Sequence, residues 1–598
     1  MDKGQGAALY AFGSNGNGQL GIASVDDTSS PQSVHFSSTT NINIVVNNSL
    51  SSSPQQHDNN NKDSTTRPHV NAITPFHDFA AGGNHTALIT HGSRQLFMTG
   101  SNKDGETLLQ ESCQVFKPAE LSKRLQHQQP QQPQQQQQLN KDQDQNQDQE
   151  NSGRSADMNK DSNSNIQWRS VACGWAFTIG LTEPYHPVPD SHNTIAVSRS
   201  NNNVNQSVYA WGSGSFGELG LGPGRFKTGG QAIPITTGLL DPSSGTRFEL
   251  VKVKAGLRHV LLLAKEIRFP NDQGIADGAT RTVLMGWGSN RQGQLGVLAR
   301  PGGSGRGDPT TVAPMTEKEL RGKFMEPTRI VISATTRQHN SSGTATPVTR
   351  AADEEPEILD MACGQSHSLV LFSNGTVFSS GLDKYGQLGP RALISAEDSS
   401  EEGGMEKSKK VDFRIGFEQV LGLPFVDSVS CGWNHNAAMD TRPIADDPTA
   451  MTIIYLWGRN DHGQLGGGIP YHAVNACLIG GVVNVPTGIV QVRIPVRRKD
   501  GSGGKEESGN KEGSVFESLV SYSCGSEHTL VTTQSGACYA WGWNEHGNCG
   551  GGVDSDGNKD LEDVSAPRLV QFPNRSVSLS TGHGGWVSGG YGSSWVWT

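Results

Sequence analysis

Two short motifs alternate from one end of this chain to the other, and their repetition constrains the fold more than any other feature. In the first motif, a short apolar strand runs into W-G-x-N-x-x-G-Q-L-G. In the second, a strand of small residues is followed by G-x-x-H-[ST] and then by an apolar strand. The seven copies of the first motif are YAFGSNGNGQLG (10–21), LFMTGSNKDGE (96–106), VYAWGSGSFGELG (208–220), LMGWGSNRQGQLG (284–296), VFSSGLDKYGQLG (377–389), YLWGRNDHGQLG (455–466) and CYAWGWNEHGNCG (538–550). The seven copies of the second are FAAGGNHTALIT (79–90), VACGWAFTIGLT (171–182), VKAGLRHVLLLA (253–264), MACGQSHSLVLF (361–372), VSCGWNHNAAMD (429–440), YSCGSEHTLVTT (522–533) and the degenerate LSTGHGGWVSGG (579–590). Such repetition indicates one supersecondary unit that is repeated in space.

Each unit predicts several short strands joined by glycine-rich turns, because its apolar residues alternate and show no helical period. Glycine accounts for 74 of the 598 residues, and it suits tight turns because it adopts positive φ without strain. One four-stranded sheet cannot bury both of its faces, whereas sheets packed radially against each other can. We therefore predict an all-β fold, a seven-bladed β-propeller with long disordered insertions.

The two ends of the chain are expected to close the ring. The chain begins within a strand of the first motif, from Leu9 to Phe12, and ends with SSWVWT (593–598), which resembles the start of the same strand type. The last blade would then combine C-terminal strands with N-terminal ones. Pairing between the ends would fasten the ring without a covalent link.

The prediction is a single domain over residues 1–598, interrupted by low-complexity segments. Even the two closest W-G glycines, Gly212 and Gly288, lie farther apart than the roughly 40 to 50 residues of a propeller blade. The surplus residues lack the apolar side chains that would offset their ordering entropy. The segments predicted to be disordered are 23–70, 111–165, 298–355 and 498–513.

Two units depart from the pattern and are expected to form the least regular blades. In the second unit Phe177 stands at the usual histidine position, and Lys103 to Glu106 replaces Gly-Gln-Leu-Gly. In the seventh unit, Gly585 stands at the histidine position.

The repeated histidines and cysteines are interpreted as structural residues. An active site would need some of them to converge with carboxylates or a metal, whereas equivalent positions on different blades do not produce metal-ligand spacing. We expect each histidine to bond within its own blade, and each cysteine to act as a small buried apolar residue. No catalytic residue, metal site or cofactor is predicted. The histidines are His85, His259, His367, His435 and His528, and the cysteines are Cys173, Cys363, Cys431 and Cys524.

Charge and hydropathy exclude two further classes of function. The net charge is −10, and the compact basic cluster Arg497-Arg498-Lys499 lies in a stretch typical of a solvated loop, so direct nucleic-acid binding is not expected. No apolar run approaches the length needed to cross a bilayer, and no signal peptide is visible. The prediction is a cytoplasmic location, with the nucleus as a second one.

Tryptophans near the C-terminus are the candidates for partner binding. The segment CYAWGWNEHGNCGGG (538–552) carries Trp543 in addition to the repeat tryptophan, and it departs from the consensus where the consensus already satisfies the fold. Tryptophan is enriched both in cores and at interface hot spots, so packing in the closing blade remains the alternative. The partner-binding candidates are Trp543, Glu545, His546, Trp586, Trp595 and Trp597.

These fourteen segments resemble the regulator-of-chromosome-condensation repeat family. Within it, YAFGSNGNGQLG, FAAGGNHTALIT and WGWNEHGNCG are similar to the fungal α-tubulin-suppressor, or killer-toxin-insensitivity, subfamily. That resemblance implies a non-enzymatic scaffold that binds a small Cys-rich metalloprotein of diphthamide synthesis. It also implies an accessory role in Elongator-dependent modification of wobble uridine in tRNA.

Other members of the broad family imply different functions. A guanine-nucleotide exchange factor for a Ran-like GTPase is the main alternative, and the absence of a basic N-terminal tail argues against chromatin anchoring but not against exchange. A UV-B photoreceptor would need tryptophans clustered with arginines across a dimer face, whereas most tryptophans here occupy repeat positions. A hydrolase or lyase has no supporting constellation of residues.

Deletion of residues 125–160 is expected to shift the melting temperature little, because a disordered loop makes few contacts. Limited proteolysis should cut within the four predicted insertions while the fragments stay associated. Unfolding of the deletion variant would show that the glutamine-rich insertion is structural.

Overall fold

Seven antiparallel sheets follow one another around a central channel in the computed structural model. The structure describes residues 8–37, 76–119, 166–184, 206–235, 246–268, 280–299, 315–332, 356–390, 413–440, 453–467, 483–485, 488–495, 516–552, 558–572 and 585–597. No helix within these ranges is long and apolar enough to span a membrane.

Each sheet is one blade of a propeller, and the blades are numbered I to VII from the N-terminus. Blade I begins with β1 (Leu9–Gly13) and β2 (Thr28–Ser33). Blade II contains β3 (Asp78–Ala81), β4 (His85–Ile89), β5 (Leu96–Gly100) and β6 (Cys113–Pro118). Blade III contains β7 (Trp168–Cys173), β8 (Phe177–Thr182), β9 (Val208–Gly212) and β10 (Ile233–Pro234). Blade IV contains β11 (Thr246–Ala255), β12 (His259–Arg268), β13 (Thr280–Ser289), β14 (Val297–Leu298), the helix α1 (Glu317–Leu320) and β15 (Lys323–Val331).

The remaining blades follow the same order. Blade V contains β16 (Ile358–Cys363), β17 (His367–Phe372), β18 (Val377–Leu382) and β19 (Phe413–Gln419). Blade VI contains β20 (Ser428–Cys431), β21 (His435–Met439), β22 (Ile454–Gly458), β23 (Val483–Val485) and β24 (Ile489–Val492), and β25 (Ile494–Pro495) pairs with β26 (Phe516–Glu517) beside it. Blade VII contains β27 (Leu519–Cys524), β28 (His528–Thr533), β29 (Cys538–Gly542) and β30 (Val564–Leu569). Blade I is completed by β31 (Trp586–Gly589) and β32 (Ser593–Trp597).

The prediction of a seven-bladed propeller closed by both ends of the chain is confirmed. In blade I the strand order is β2-β1-β32-β31, so two N-terminal strands pair with two C-terminal ones. Leu9 lies opposite Trp597 and Gly13 lies opposite Ser593 in the β1–β32 pair. The first strand of every blade lines the central channel, which places the second motif nearest the axis.

The seventh copy of the second motif lies at a different register from the one expected. The motif comparison places Gly585 at the histidine position, but in the structure Gly585 lies immediately before β31 and outside any inner turn. The turn that matches G-x-x-H runs from Gly590 to Ser593, since the Gly590 N–H donates to the Ser593 carbonyl as in the other blades. The C-terminal strand is therefore the second strand of its blade and not a strand of the first motif. Repeated Gly-Gly pairs in this segment made the two registers hard to distinguish.

Three predicted insertions contain strands, which corrects their assignment as wholly disordered. β2 lies within 23–70, β6 lies within 111–165, and α1 and β15 lie within 298–355. β2 and β6 form the outer edge of their blades, whereas β15 lies between β13 and β14; Gln32 and Ser33 of β2 are exposed. Their backbone pairing, which leaves little trace in composition, holds them in place. The other residues of these insertions, and all of 498–513, lie outside the described residues.

The motif histidines join neighbouring blades, which contradicts the expectation that each bonds within its own blade. In every case Nε2 contacts the residue that follows the histidine position of the next blade. The contacts are His85 to Thr178 (2.8 Å), His259 to Ser368 (2.9 Å), His367 to Asn436 (2.7 Å), His435 to Thr529 (3.2 Å) and His528 to Ser594 (3.0 Å).

The same polar residues continue the link to a backbone carbonyl of the preceding blade. Thr178 donates its hydroxyl proton to the Glu106 carbonyl at 2.8 Å, and Asn436 donates from its amide to the Gln387 carbonyl at 2.7 Å. A hydroxyl has one proton, so His85 must donate from Nε2–H to Thr178. The equivalent bonds are Thr86 to Gln19 (2.9 Å), Ser368 to Gln294 (2.8 Å), Thr529 to Gln464 (2.9 Å) and Ser594 to Asn548 (2.7 Å).

Repeat tryptophans also donate to turn carbonyls at this position. Three of these carbonyls already accept a hydroxyl or amide bond, whereas that of Glu218 accepts the indole alone, since Val260 has no polar side-chain group. The indole N–H of Trp211 donates to Glu106 at 2.9 Å, and that of Trp287 donates to Glu218 at 2.8 Å. Trp457 and Trp541 donate in the same way to Gln387 and Gln464. The blades are therefore held together by buried hydrogen bonds as well as by apolar packing.

Two junctions lack the histidine bond and replace it by packing. Phe177 stands at the histidine position of blade III, and the residue opposite it in blade IV is the apolar Val260; both are buried in one hydrophobic cluster. Between blades I and II, Ser593 stands at the histidine position. There Phe79 packs against Trp586 and Trp595, with ring centroids 5.1 and 5.2 Å apart.

The second-unit turn is more regular than expected. The Glu106 carboxylate accepts the Asp104 N–H at 2.7 Å, just as the Gln19 side chain accepts the Asn17 N–H at 3.0 Å in blade I. Leu108 takes the place of the last turn glycine with φ 58°. The substituted turn thus keeps the geometry of the consensus.

Glycine is required where the two motifs meet. Gly100 has φ 104°, and a Cβ there would lie 2.4 Å from the Asn84 carbonyl oxygen. Any other residue would therefore combine backbone strain with a clash at this position. The close approach brings the turns of the two motifs together at one edge of the blade.

We expect the free energy of unfolding to fall as the pH drops below 6.5. Burial lowers the pKa to about 3 for His85, His259 and His435, and to about 4 for His367 and His528. Unfolded histidine titrates near 6.5, so between pH 6.5 and 4 the unfolded chain takes up protons that the folded chain does not. Each such proton changes the unfolding free energy by about 1.4 kcal/mol per pH unit.

The variant His259→Phe with Ser368→Val copies the natural Phe177 and Val260 pair and is expected to fold. Urea unfolding at pH 7.5, 6.0 and 5.0 measures how the unfolding free energy changes with pH. In this variant the change should correspond to the uptake of one proton fewer on unfolding than in wild type. An unchanged slope would show that His259 is not held neutral in the fold.

A chain that ends after Gly592 is expected to lose cooperative melting. It lacks β32, which pairs with both β1 and β31, and it loses the buried Trp595 and Trp597. Each large apolar side chain contributes about 2–3 kcal/mol, against a total stability of about 5–15 kcal/mol. Calorimetry of this chain, beside a control that lacks only Thr598, measures the effect. Equal melting curves would contradict closure by β32.

Candidate functional site

The turns of both motifs meet at one edge of each blade and together form what we call the loop face. In all seven blades the residue after the W-G glycine donates its N–H to the carbonyl of the residue before the histidine position. The donor and acceptor pairs are Ser14–Gly592, Ser101–Asn84, Ser213–Ala176, Ser289–Arg258, Leu382–Ser366, Arg459–Asn434 and Trp543–Glu527, at 2.7–2.9 Å. The inner turns surround the mouth of the channel, and the turns of the first motif lie outside them.

Buried side chains hold each outer turn in shape. In blade IV, Asn290 accepts the Leu295 N–H at 2.7 Å and donates to the Leu320 carbonyl at 2.8 Å, while Gln294 accepts the Gln292 N–H at 2.9 Å. Asn544 makes the equivalent contacts in blade VII. The buried asparagine and glutamine of the motif bond the turn backbone from the interior side. The variable residues of each turn are therefore left on the outer side of a rigid turn.

Three aromatic residues of the inner turns gather at the channel mouth, and we call them the aromatic crown. The Tyr591 ring lies edge-on to Trp433 at 5.5 Å and to Trp175 at 6.0 Å between ring centroids. Trp175 is 47% exposed, and its indole covers Gly83, where a Cβ would lie 3.0 Å from the ring. Burial raises the pKa of the Tyr591 hydroxyl, which therefore stays neutral. Trp175 is thus the exposed member of the crown, and it rests on the partly buried rings of Tyr591 and Trp433.

The channel beneath the crown is narrow and lined mostly by small residues. Its cavity of about 230 Å³ is smaller than the roughly 300–1,000 Å³ of small-molecule pockets. The residues before the seven inner-turn glycines line it with small side chains: Ala81, Cys173, Ala255, Cys363, Cys431, Cys524 and Gly589. Burial raises the pKa of Cys173, Cys363 and Cys524 to about 12. These thiols therefore lack the thiolate that nucleophilic or metal-binding cysteines require.

Asp360 and Asp78, two carboxylates of the inner strands, have partners in neighbouring blades. Lys252 of blade IV forms an ion pair with Asp360 of blade V at 2.7 Å, and Asp78 accepts the Ser170 hydroxyl at 2.8 Å. Among the residues that the structure describes, no group of three or more His, Cys, Asp or Glu is placed to hold a metal ion.

Trp543, Glu545 and His546 lie together on the loop face, where blades VII and I meet. The rings of Trp543 and His546 are 5.1 Å apart and edge-on, and His546 Nδ1 lies 2.7 Å from the Asp27 carboxylate. Trp543 is half-buried over Gly592, next to the aromatic crown, and Glu545 is exposed. Their role in partner binding stays a prediction.

Trp595 and Trp597 pack in the core, which contradicts their assignment as partner contacts. Trp595 is fully buried and Trp597 nearly so, since β32 lies between β1 and β31. Trp586 is half-buried against Phe79 and Phe76 of blade II. These three tryptophans form the aromatic packing at the junction that lacks a motif histidine.

The loop face also carries a concentration of cations that the sequence did not reveal. Arg258, Arg291 and Lys323 surround the Phe216 ring at 4.1, 5.4 and 4.7 Å from its centroid. Arg321 lies 4.4 Å from the Phe413 centroid, and Lys384 lies 5.1 Å from that of Tyr385. The five cations come from four separate segments, since Arg321 and Lys323 are near neighbours, so no local basic run marks them. Aligning the turn positions of the repeats could have found them, whereas Arg497 to Lys499 lies outside the described residues.

Acidic groups occupy the other side of the loop face. Glu527 and Asp563 contact His462 at 3.4 and 2.7 Å. Asp461 and Glu527 both contact Arg459, which neutralises the cation nearest this side. The face is thus basic over blades III to V and acidic over blades VI and VII.

The chain matches models of the Regulator of chromosome condensation (RCC1) repeat at residues 7–46 and 535–586, and at 358–387 and 520–548. It is 25% identical over 591 residues to the secretion-regulating guanine nucleotide exchange factor of Bos taurus, covering 96% of this chain and 82% of the relative. It is 27% identical over 585 residues to the Mus musculus protein of the same name, covering 97% and 82%. The ultraviolet-B receptor UVR8 of Arabidopsis thaliana is 24% identical over 426 residues, covering 66% and 74%.

Two solved structures share the fold over nearly the whole chain. Human WBSCR16 superposes with a TM-score of 0.50 at 13% identity, covering 99% of both chains. Prp20p of Saccharomyces cerevisiae superposes with a TM-score of 0.50 at 14% identity, covering 100% of this chain and 92% of that one.

Proposed function

We propose, from the premise that this chain is a propeller of regulator-of-chromosome-condensation repeats, that it is a non-enzymatic scaffold which binds a protein partner on its loop face. The observation that carries this proposal is the aromatic crown, with Trp175 47% exposed at the channel mouth. A large aromatic side chain held rigidly in solvent is typical of an interface anchor. The small channel and its protonated thiols give an enzyme reaction no support.

For the partner we propose a small Cys-rich metalloprotein of diphthamide synthesis, with an accessory role in wobble-uridine modification of tRNA. The three segments that carry this resemblance belong to three consecutive blades: WGWNEHGNCG to VII, YAFGSNGNGQLG to I and FAAGGNHTALIT to II. His546 contacts Asp27 across the first junction, and Asn17 donates to Asn84 at 3.1 Å across the second. One continuous surface next to the crown would therefore receive the partner, in the cytoplasm or, second, in the nucleus.

Guanine-nucleotide exchange on a Ran-like GTPase is the second candidate function. It is favoured by the similarity to secretion-regulating guanine nucleotide exchange factors, which extends over 96–97% of this chain. Both candidates use a protein partner on a propeller face, and they differ in what the partner is and in what happens to its nucleotide.

Trp175→Ala and Trp543→Ala are each expected to weaken partner capture about tenfold or more, because truncation at a hot spot costs about 2 kcal/mol or more. The matched control is Leu359→Ala, since Leu359 is 49% exposed but lies at the opposite end of an inner strand. Affinity capture from the native host followed by mass spectrometry identifies the partner, and calorimetric titration gives the change in Kd.

Circular dichroism of each variant separates binding from folding. Unfolding of Trp543→Ala would assign that residue to packing. A small Cys-rich metalloprotein in the capture supports the scaffold, whereas rapid GDP release from Ran, catalysed by the wild-type chain, would establish exchange in its place. Equal capture by Trp175→Ala and wild type would exclude the crown as the docking site.

A further inference from the structure

The cations around Phe216 come from three elements and converge on one side of the loop face. Arg258 lies in the inner turn of blade IV, Arg291 in its outer turn, and Lys323 at the start of β15. All three side chains are exposed. Their distances of 4.1–5.4 Å from the ring centroid are typical of cation–π contacts, each of which stabilises an exposed cation by only about 0.5–1 kcal/mol.

Within the part of the chain that the structure describes, the buried Glu218 carboxylate interacts electrostatically with Arg258 and Lys323, but a single carboxylate cannot neutralise three cations. Lys323 donates to the Ser215 carbonyl at 3.0 Å, and neither arginine forms an ion pair there. The Glu218 carboxylate is buried and accepts the Phe216 N–H at 2.6 Å. Three like charges are thus held close together on an aromatic support, which leaves the guanidinium donors directed at solvent.

The cluster continues along the face as an arc. Arg321 stacks on Phe413 and Lys384 on Tyr385, so every cation of the arc rests on an aromatic ring of an outer turn or of the strand beside it. We call Arg258, Arg291, Arg321, Lys323 and Lys384 the cationic arc. Arg459, the next cation along, is already paired with Asp461 and Glu527 and marks its end.

We propose that the cationic arc binds a short carboxylate-rich segment of the protein partner. Planar guanidinium groups match carboxylates in bidentate geometry, and charge complementarity of this kind orients a partner on its surface. This inference rests on the proposed function and specifies the chemistry of the partner.

A nucleic acid fits the face less well than an acidic protein segment. A polynucleotide extends its negative charge without interruption, and beyond the arc it would meet Asp461, Glu527 and Asp563 in blades VI and VII. A protein can present acidic side chains to the arc and basic ones to that acidic side. The loop face, basic on one side and acidic on the other, therefore favours a partner that carries acidic and basic groups on separate parts of its surface.

The test uses three fluorescein-labelled probes with the full chain: a ten-residue peptide alternating glutamate and glycine, its glutamine counterpart, and an oligothymidylate with five phosphates. The acidic peptide should bind at low salt and weaken steeply as salt screens the charges. The variant Arg258→Gln, Arg291→Gln, Lys323→Gln should bind it at least tenfold more weakly. The control Lys103→Gln, Lys265→Gln, Arg281→Gln removes the same charge from exposed positions off the arc and should stay within twofold of wild type.

Each other outcome overturns the inference. Equal binding by the arc variant and wild type, or no binding at all, would remove the arc as an acidic-segment site. Equal binding of the oligothymidylate would assign the arc to phosphate. Binding that appears only after Glu397, Asp398, Glu401, Glu402 and Glu406 are changed to glutamine would assign it to this chain's own acidic segment.

The proposed function is tested separately from the arc. Native-partner capture by the arc variant at wild-type strength, together with loss of capture by Trp175→Ala, would leave the scaffold standing without the arc. If wild type binds the acidic peptide but captures no partner in the host, the arc stands as an acidic-segment site and the proposed scaffold function falls.

Discussion

The hydrogen-bonded link between adjacent blades is the interaction on which the rest of this structure depends. A motif histidine donates to a hydroxyl or amide of the next blade, and that group donates back to a turn carbonyl of the first. Because the same carbonyl also receives a repeat indole, one turn fixes two elements of its neighbour. Burial makes these bonds costly to leave unmade, so the blades have one relative position. The rigid placement of every loop on the shared face follows from that position.

The hydrogen bonds between blades use buried motif residues, so the outward-facing positions of each turn can vary without weakening the ring. The turn residues that hold the blades are buried, whereas Trp175, Phe216 and Trp543 occupy positions that the repeat does not need. Function in this fold therefore lies in what departs from the repeat. The aromatic crown and the cationic arc both consist of such departures, and the hydrogen-bonded blades hold these residues in a fixed geometry.

The sequence predicted the number of blades and the closure of the ring, because these depend on local periodicity. It did not predict the partners of those histidines, since Thr178 lies far from His85 in the chain and only the ring brings them together. The strands β2, β6 and β15 were mistaken for parts of insertions because backbone pairing leaves little trace in composition. Trp543, Glu545 and His546 lie together because they are neighbours in one turn, and their role in binding stays a prediction. Trp595 and Trp597 are buried, which the sequence did not reveal because exposure depends on the strands on either side. The cationic arc, assembled from distant segments, was missed altogether.

Closure by β1 and β32 has a consequence for how this protein is made. During synthesis β1 leaves the ribosome hundreds of residues before the strand that will cover its edge exists. An unpaired strand edge can pair with other chains. The edge of β1 that β32 covers stays unpaired until nearly the whole sequence has been translated. The turn that carries Tyr591 arrives at the same late moment, so the surface around the channel mouth is assembled only as the ring becomes complete. A chain interrupted before that point has neither a closed ring nor a complete aromatic crown.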